Sequence, residues 1–301
     1  MNRPDILFPC LDGIRAHTSV SYETLVVAYR FSPGNLLLLK EKYPWVTVME
    51  NESLSGFAEN NNLALRQAKG EYCFIVNDDT LMDMPVIDRL ASDLDSLPES
   101  VAAISPKIVF PDGKVQTCGR APWTVCRYMK HYLHLVDETR PSKWSMKEGL
   151  FRSWTLNGAC FMARTEAFRR AGWFDERYFF TPEDIALGHK FNDSGLTVMV
   201  DADAVITHIA GGSVSSMTAA IKPARIAGSL LFYCGDNRVK RFLLGSYVWL
   251  IEELRKIKYP LIGHKSGRNK LMYDTARNVQ WAVRSGKLPK EVFRILMDQA
   301  R

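Results

Sequence analysis

Five consecutive apolar or aromatic residues, Tyr72-Cys73-Phe74-Ile75-Val76, run directly into Asn77-Asp78-Asp79-Thr80. A run of strand length with no polar alternation reads as a strand buried on both faces. Such a strand needs helices above and below it, which commits the chain to a layered α/β architecture. The two carboxylates that follow would then sit at the carboxyl end of a central strand, where open α/β sheets bind ligands.

The surrounding pattern agrees. Ile6, Leu7, Cys10, Leu11 and Ile14 recur at helical spacing, so a helix opens the chain. Strands are predicted at Thr24 to Val27, Val46 to Met49, Val101 to Ile104, Cys160 to Ala163, Thr197 to Val200 and Ala204 to Thr207. Helices are predicted at Leu36 to Tyr43, Asn60 to Ala68, Pro85 to Leu97, Thr165 to Ala171 and Thr181 to Ser194. This alternation predicts a mostly parallel sheet flanked by helices. Pro111 to Arg152 reads as connecting structure, and the chain turns helical from about Ser216. Its 301 residues accommodate an α/β domain over 1–215 and a C-terminal helical extension over 216–301.

Composition excludes several classes. The six cysteines are scattered with no C-x-x-C pair, which fits a reducing cytoplasmic setting rather than a disulfide scaffold or zinc site. No basic-then-apolar leader opens the sequence. The longest apolar window, Phe242 to Ile251, is half of the ~20 residues a spanning helix needs. The net charge of +6 is concentrated late, in Arg238, Lys240, Arg241, Arg255, Lys256, Lys258, Lys265, Arg268 and Lys270. No nucleic-acid-binding motif accompanies it. Leu243, Leu244, Tyr247, Trp249, Leu250 and Leu254 share the segment, so two readings stand: a packed helix with a solvated basic face, or peripheral contact with an anionic membrane surface.

Three places carry chemistry. Asp78 and Asp79 suit Mg²⁺ or Mn²⁺, hard cations that use one or two carboxylates plus substrate phosphates; the same four residues could simply turn the chain. In Thr181-Pro182-Glu183-Asp184, one carboxylate could act as a general base. Thr181 as N-cap and acidic residues in a first helical turn explain it equally well. His208 closes a strand ahead of Ala210-Gly211-Gly212-Ser213, where imidazole could ligate a metal and the glycines could close on phosphates.

The order of these blocks resembles the family 2 glycosyltransferases of GT-A fold. Glu52 through Gly56-Phe57-Ala58 to Asn61-Asn62, Lys69-Gly70-Glu71-Tyr72 and Asn77-Asp78-Asp79-Thr80 match in order. So do Trp154-Thr155-Leu156-Asn157-Gly158-Ala159, Gly172 to Glu176, Phe179 to Asp184 and Ala202 to His208. Among subgroups the chain is most similar to rhamnosyltransferase-like enzymes of cell-surface polysaccharide assembly. The resemblance implies a metal-dependent inverting transfer from a dTDP- or UDP-sugar to an acceptor hydroxyl, saccharide or lipid-linked. It implies that Asp78, Asp79, Asn62 and Gly56 serve the donor, and that Asp79 and His208 hold Mn²⁺ or Mg²⁺. Trp154, Asn157 and Gly158 would line the sugar and acceptor side, and Asp184, with Glu183 as the other candidate, would be the base.

The sequence departs from the family pattern in places. Of the opening strand ending in Thr-Tyr-Asn only Asn2 is present, so a central strand is expected to be missing unless another segment or chain fills its place. Ala28 stands where an Asp normally contacts the base, and Ala186 and Lys190 replace residues of the acidic helix. An impaired domain serving as a binding or scaffolding protein is the alternative these departures raise.

Overall fold

The computed structural model describes residues 2–137, 143, 145–209, 218–262 and 267–299. Two compact units emerge. The first comprises Met1–Trp123, Asp137–Asp175 and Asp184–Ala210; the second comprises Thr124–Val136, Glu176–Glu183 and Gly211–Arg301.

In the first unit α1 (Pro4–Ala16) precedes β1 (Thr24–Tyr29), α2 (Pro33–Lys42), β2 (Val46–Asn51), α3 (Phe57–Leu65), β3 (Tyr72–Val76) and β4 (Thr80–Leu81). There follow α4 (Val86–Ser96) and β5 (Val101–Val109). After α5 (Val125–Tyr132), which belongs to the second unit, come β6 (Leu150–Ser153), β7 (Cys160–Arg164), α6 (Thr165–Arg170), α7 (Glu183–Asp193) and β8 (Thr197–His208). β1 and β2 form a parallel pair of their own, and the remaining six strands form a sheet in the order β3-β7-β5-β8-β4, with β6 on β8.

The alternation of β7 shows why the sheet needs two helical layers. Cys160 and Met162 face a core shared with Leu7, Leu11, Leu90 and Leu94 of α1 and α4. Phe161 and Ala163 face the opposite core, with Leu65 of α3, Phe168 of α6 and Leu187 and Phe191 of α7. β3 has the predicted bounds, but it is not the central, doubly buried strand expected: it stands at one end of the sheet order, and only Cys73 and Ile75 are buried outright while Tyr72, Phe74 and Val76 are half-buried.

Several expectations need correction. The sheet is mixed rather than mostly parallel: β5–β8 is parallel, while β3–β7, β5–β7, β4–β8 and β6–β8 are antiparallel. A doubly buried strand carries the same residues whichever way it runs, so its direction is invisible in the pattern. β5 continues through Pro106, and the two strands expected near residue 200 are one strand. Register jumps there from Pro106↔Asp201 to Lys107↔Val205, so a bulge interrupts the alternation. The stretch read as connecting structure contains α5 and β6. Thr181 is not the N-cap, because α7 begins only at Glu183. Gly211, Gly212, Ser213 and Lys265 lie outside the described residues.

The second unit is helical: α5, α8 (Thr218–Cys234), α9 (Arg238–Ile262), α10 (Gly267–Ser285) and α11 (Pro289–Asp298). Phe179 and Phe180 both stack on Phe293 of α11. At its centre Glu252 is fully buried and paired with Lys222 at 3.0 Å and Arg255 at 2.6 Å, and it accepts a hydrogen bond from the Tyr132 hydroxyl. Burial opposes the charge, but Lys222, Tyr132 and Arg255 together hold the carboxyl below its ordinary value. Removing the carboxylate would leave two cations facing each other in a desolvated site. We therefore expect Glu252→Gln to cost about 3 kcal/mol, read as a lower urea midpoint at unchanged slope.

Candidate functional site

The acidic turn is built by its own side chains. Thr80, 1% exposed, donates its hydroxyl to the Asn77 carbonyl at 2.9 Å, closing the loop that carries Asp78 and Asp79. Cys10 of α1 lies behind it, with Sγ 3.5 Å from Thr80 Oγ1 and 3.6 Å from the Asn77 carbonyl oxygen. Burial pushes this thiol up to about 11, so it packs as a neutral group. Asp78 lies within the field of Arg3.

β4 pairs with the end of β8 through Thr80↔His208, and this register sets His208 against the acidic loop. His208 Nε2 is 3.1 Å from Asp79 Oδ1, both side chains being largely buried. Burial would raise the Asp79 carboxyl, but its hydrogen bond to His208 and the charge there hold it below its ordinary value.

Gln116 fixes the ring. Its Nε2 donates to the His208 carbonyl at 2.7 Å, which turns its Oε1 toward His208 Nδ1 at 2.9 Å. Oε1 accepts only, so Nδ1 carries the proton, and in a neutral ring the lone pair of Nε2 faces the Asp79 carboxylate. Two acceptors at that separation call for a positive charge between them, either a second ring proton or a divalent cation ligated by both. The donor set, one carboxylate oxygen and one imidazole, therefore fits Mn²⁺ or Mg²⁺. No group of three or more His, Cys, Asp or Glu side chains is placed to hold a metal ion among the described residues, so a cation here would draw further ligands from substrate phosphates or water.

The second half of the site adjoins the first through the sheet. Beyond the last rung of β3–β7, Asn77 N–H donates to the Ala159 carbonyl at 2.9 Å. This sets the Asp78-Asp79 loop beside Asn157-Gly158. Asn157 donates its side-chain amide to the Thr117 carbonyl at 2.9 Å and accepts from Ala159 N–H at 3.0 Å. Asp184, in the first turn of α7, accepts from Gly158 N–H at 2.8 Å through Oδ2 and from Ile185 N–H at 2.7 Å through Oδ1. Burial raises its carboxyl above the ordinary value, only partly offset by those two amides and by the Arg120 charge. α7 can approach this closely because of Gly188, where a Cβ would stand 2.9 Å from backbone atoms of Trp154, Thr155 and Leu156.

The other sequence candidates have different surroundings. Glu183 is 6% exposed and lies in the field of Arg225 within the second unit. Asn62, buried, spends both ends of its amide on Phe174: Nδ2 donates to its carbonyl at 2.9 Å and Oδ1 accepts from its N–H at 3.1 Å. Gly56 begins α3, its N–H donating to Glu59. Trp154 N–H donates to the Arg120 carbonyl, and its ring lies under the Arg152 guanidinium, 5.1 Å from the centroid. Gln116 and Arg120 escaped the sequence reading. Both lie in the irregular stretch after β5, where no periodicity or spacing marks them.

Helices on both faces of a mixed sheet, with carboxylates and a histidine gathered at one sheet end, define the GT-A class of nucleotide-sugar transferase folds. The sequence match is more specific: residues 2–171, over half the chain, match Glycosyl transferase family 2, and the chain belongs to that family. It is 28% identical over 212 residues to the O-antigen biosynthesis protein RfbC of Myxococcus xanthus, covering 69% of this chain and 16% of that protein. It is 26% identical over 200 residues to an N-acetylglucosaminyl-diphospho-decaprenol L-rhamnosyltransferase of Mycobacterium tuberculosis, covering 56% of this chain and 60% of that one. The chain thus spans less than two thirds of either relative. Among solved structures, the mannosyltransferase PcManGT of Pyrobaculum calidifontis, in complex with GDP-Man and Mn²⁺, superposes with TM-score 0.52. That likeness has 16% identity and covers 99% of this chain and 76% of the other, and it supports the fold.

Gln116→Leu keeps the volume and removes both bonds to His208. We expect it to weaken Mn²⁺-dependent nucleotide binding about 10- to 100-fold, measured by calorimetry, with little change in metal-free thermal stability.

Proposed function

We propose that this chain is an inverting glycosyltransferase that moves a sugar from a nucleotide diphosphate donor to an acceptor hydroxyl. The observation that carries this reading is the Asn77–Ala159 hydrogen bond, which holds the Asp79–His208 pair and the Gly158–Asp184 pair at one sheet end. A divalent cation held by Asp79 and His208 would offset charge developing on the departing diphosphate.

Asp184 is the base. Its two backbone amides fix the carboxylate, and its raised affinity for a proton suits it to accept one from an acceptor hydroxyl. As that proton passes to Asp184, the acceptor oxygen bonds to the anomeric carbon and the bond from that carbon to the diphosphate oxygen breaks. Configuration inverts in this single displacement. Asp184 is preferred over Glu183, whose charge is matched by Arg225. Because folding raises the Asp184 carboxyl, transfer should fall with decreasing pH at a point above the ordinary value for an aspartate.

The relatives concerned with O-antigen and with a decaprenol-linked sugar favour rhamnose as the sugar, dTDP or UDP as its carrier, and a lipid-linked saccharide as acceptor. A lipid-linked acceptor fits the surface of α9. Val239, Phe242, Leu243, Leu250, Leu254 and Ile257 are exposed along one helical face, with exposed Arg238, Lys240 and Lys258 at its ends. This revises the apolar set expected from sequence: Leu243, Leu250 and Leu254 remain, whereas Leu244 is buried, Tyr247 donates its hydroxyl to the Met129 carbonyl and Trp249 is covered by the Arg284 guanidinium at 4.2 Å. No helix among the described residues is long and apolar enough to cross a membrane. The contact we propose for α9 is a peripheral one, at the cytoplasmic face. Phe242→Asp with Leu250→Asp should abolish co-sedimentation with phosphatidylglycerol vesicles at low salt; undiminished binding would remove α9 as the contact.

A second reading, a binding or scaffolding domain, is favoured by one observation: Ala28, buried in β1, presents only a methyl group where the family's base-contacting Asp is expected. Calorimetry with UDP and dTDP, with and without Mn²⁺, separates the two. Metal-dependent binding of either nucleotide supports the transferase, and its absence supports the scaffold. Asp184→Asn should preserve that binding while transfer falls by at least roughly a hundredfold; equal activity would remove Asp184 as the base.

A further inference from the structure

The segment that leads into Asp184 is held by the C-terminal helices. Residues 176–183 belong to the second unit, and the chain passes into the first between Glu183 and Asp184. Phe179 and Phe180 meet edge to face at 4.5 Å between ring centroids, and both pack on the buried Phe293 ring of α11, at 5.1 and 5.0 Å. Glu183 is buried, and its charge acts on Arg225 of α8. Between these two anchors the backbone itself touches α8. A Cβ on Gly228 would overlap the Thr181 carbonyl oxygen and stand 3.4 Å from its carbonyl carbon and 3.6 Å from Pro182 Cδ. Glycine is a poor helix former, so its place inside α8 has a packing reason, and the Thr181 carbonyl supplies it.

α7 starts at Glu183, so Asp184 stands in its first turn. The N–H groups of a first turn have no intrahelical acceptor, and the direction in which that turn leaves its predecessor is set from outside the helix. Here it is set by Gly158 N–H on the Asp184 carboxylate and by the seat of residues 179–183. A Cβ at Gly228 would meet backbone rather than the end of a flexible side chain, so the 181–183 peptide would have to move, and the first turn of α7 with it. A catalytic group tolerates little of this, since misplacement by about 1 Å can cost on the order of a hundredfold in rate.

We propose that Gly228 of α8 and Phe293 of α11 are positioning residues for sugar transfer: together they seat residues 179–183 and thereby aim Asp184. The C-terminal helices then take part in the reaction through the backbone they hold, one peptide bond ahead of the reacting carboxylate. The inference rests on the reading of Asp184 as the base.

The test reads the full chain and its variants in three ways: kcat for transfer, Mn²⁺-dependent nucleotide binding, and the titration of the Asp184 carboxyl followed by NMR. Burial raises that carboxyl against the Gly158 and Ile185 amides and the Arg120 charge, so a carboxylate turned out of its place titrates closer to an ordinary aspartate. We expect Gly228→Ala and Phe293→Ala to lower kcat at least roughly tenfold, to leave nucleotide binding unchanged, and to move both the titration and the acid limb of transfer to lower pH. Phe293→Leu, which keeps a large apolar side chain on Phe179 and Phe180, should recover most of the lost rate. Val279→Ala opens a cavity in the core shared by α5, α8, α9 and α10 and controls for lost stability: the thermal midpoint should fall while kcat and the titration hold. An Asp184 titration unmoved in both Gly228→Ala and Phe293→Ala, or an equal loss of kcat in Val279→Ala, overturns the proposal. The titration needs no turnover, so a shifted titration without transfer by any form, the unmodified chain included, upholds the seat and sinks the transferase reading instead.

Discussion

One hydrogen bond, from Asn77 N–H to the Ala159 carbonyl, decides how the rest of the candidate site is assembled. It extends the antiparallel β3–β7 ladder by one step beyond Val76↔Cys160. In an antiparallel pair the end of one strand lies beside the start of the other, so the loop leaving β3 and the loop entering β7 share one sheet end. The first loop carries Asp78 and Asp79, and the second carries Asn157 and Gly158. A parallel pairing of the same two strands would have put these loops at opposite ends, some 17 Å apart for five residues, on the order of 3.3 Å each. The two other groups follow from neighbouring elements. β4 brings the end of β8 alongside, which delivers His208, and Gly188 lets α7 approach the 154–156 backbone closely enough for Asp184 to cap Gly158.

The electrostatics divide the site in two. At Asp79 a partner outweighs burial, so the carboxyl is held below its ordinary value and stays anionic. At Asp184 burial outweighs two backbone amides, so the carboxyl moves up. One acidic group is thus kept charged beside an imidazole, and the other is poised to take a proton. Environments that pull titratable groups apart in this way let neighbouring carboxyl groups hold different protonation states.

What was legible in the sequence follows from which forces act locally. β3 had correct bounds because apolar contact on both faces, fully buried on one and half-buried on the other, leaves a contiguous apolar run, and α1 was visible because one face of a helix repeats every three to four residues. The layered class followed from those two patterns. Strand direction did not, since Cys160-Phe161-Met162-Ala163 pairs equally well with either polarity. The bulge at residues 202–204 hid the continuity of β8 by breaking the alternation that marks a strand. Asp78, Asp79, Asp184 and His208 were named as candidates from their order along the chain, and the structure sets Asp79 beside His208 and Asp184 against Gly158. Gln116 was not named, because its role is fixed by a tertiary contact across 92 residues. Asn62 shows the converse. It lies inside a recognisable block, yet its amide clamps the Phe174 backbone, a packing role that the letters alone do not distinguish from ligand binding.

The same reasoning explains why the candidate site is held more firmly than the β1–β2 pair. Asp79, His208, Asp184 and Gln116 all depend on β3, β7, β8, β4 and α7, which are joined by continuous ladders or by direct backbone contact. β1 and β2 share no ladder with that framework among the described residues; Ala28 and Val46 share a core with Leu7, Leu11 and Leu39 of α1 and α2. Apolar packing of this kind is non-directional and fixes position less tightly than a hydrogen-bonded ladder does. The β1–β2 pair is therefore the less firmly held part of the unit, whereas the acidic loop and its histidine are locked by their own hydrogen bonds.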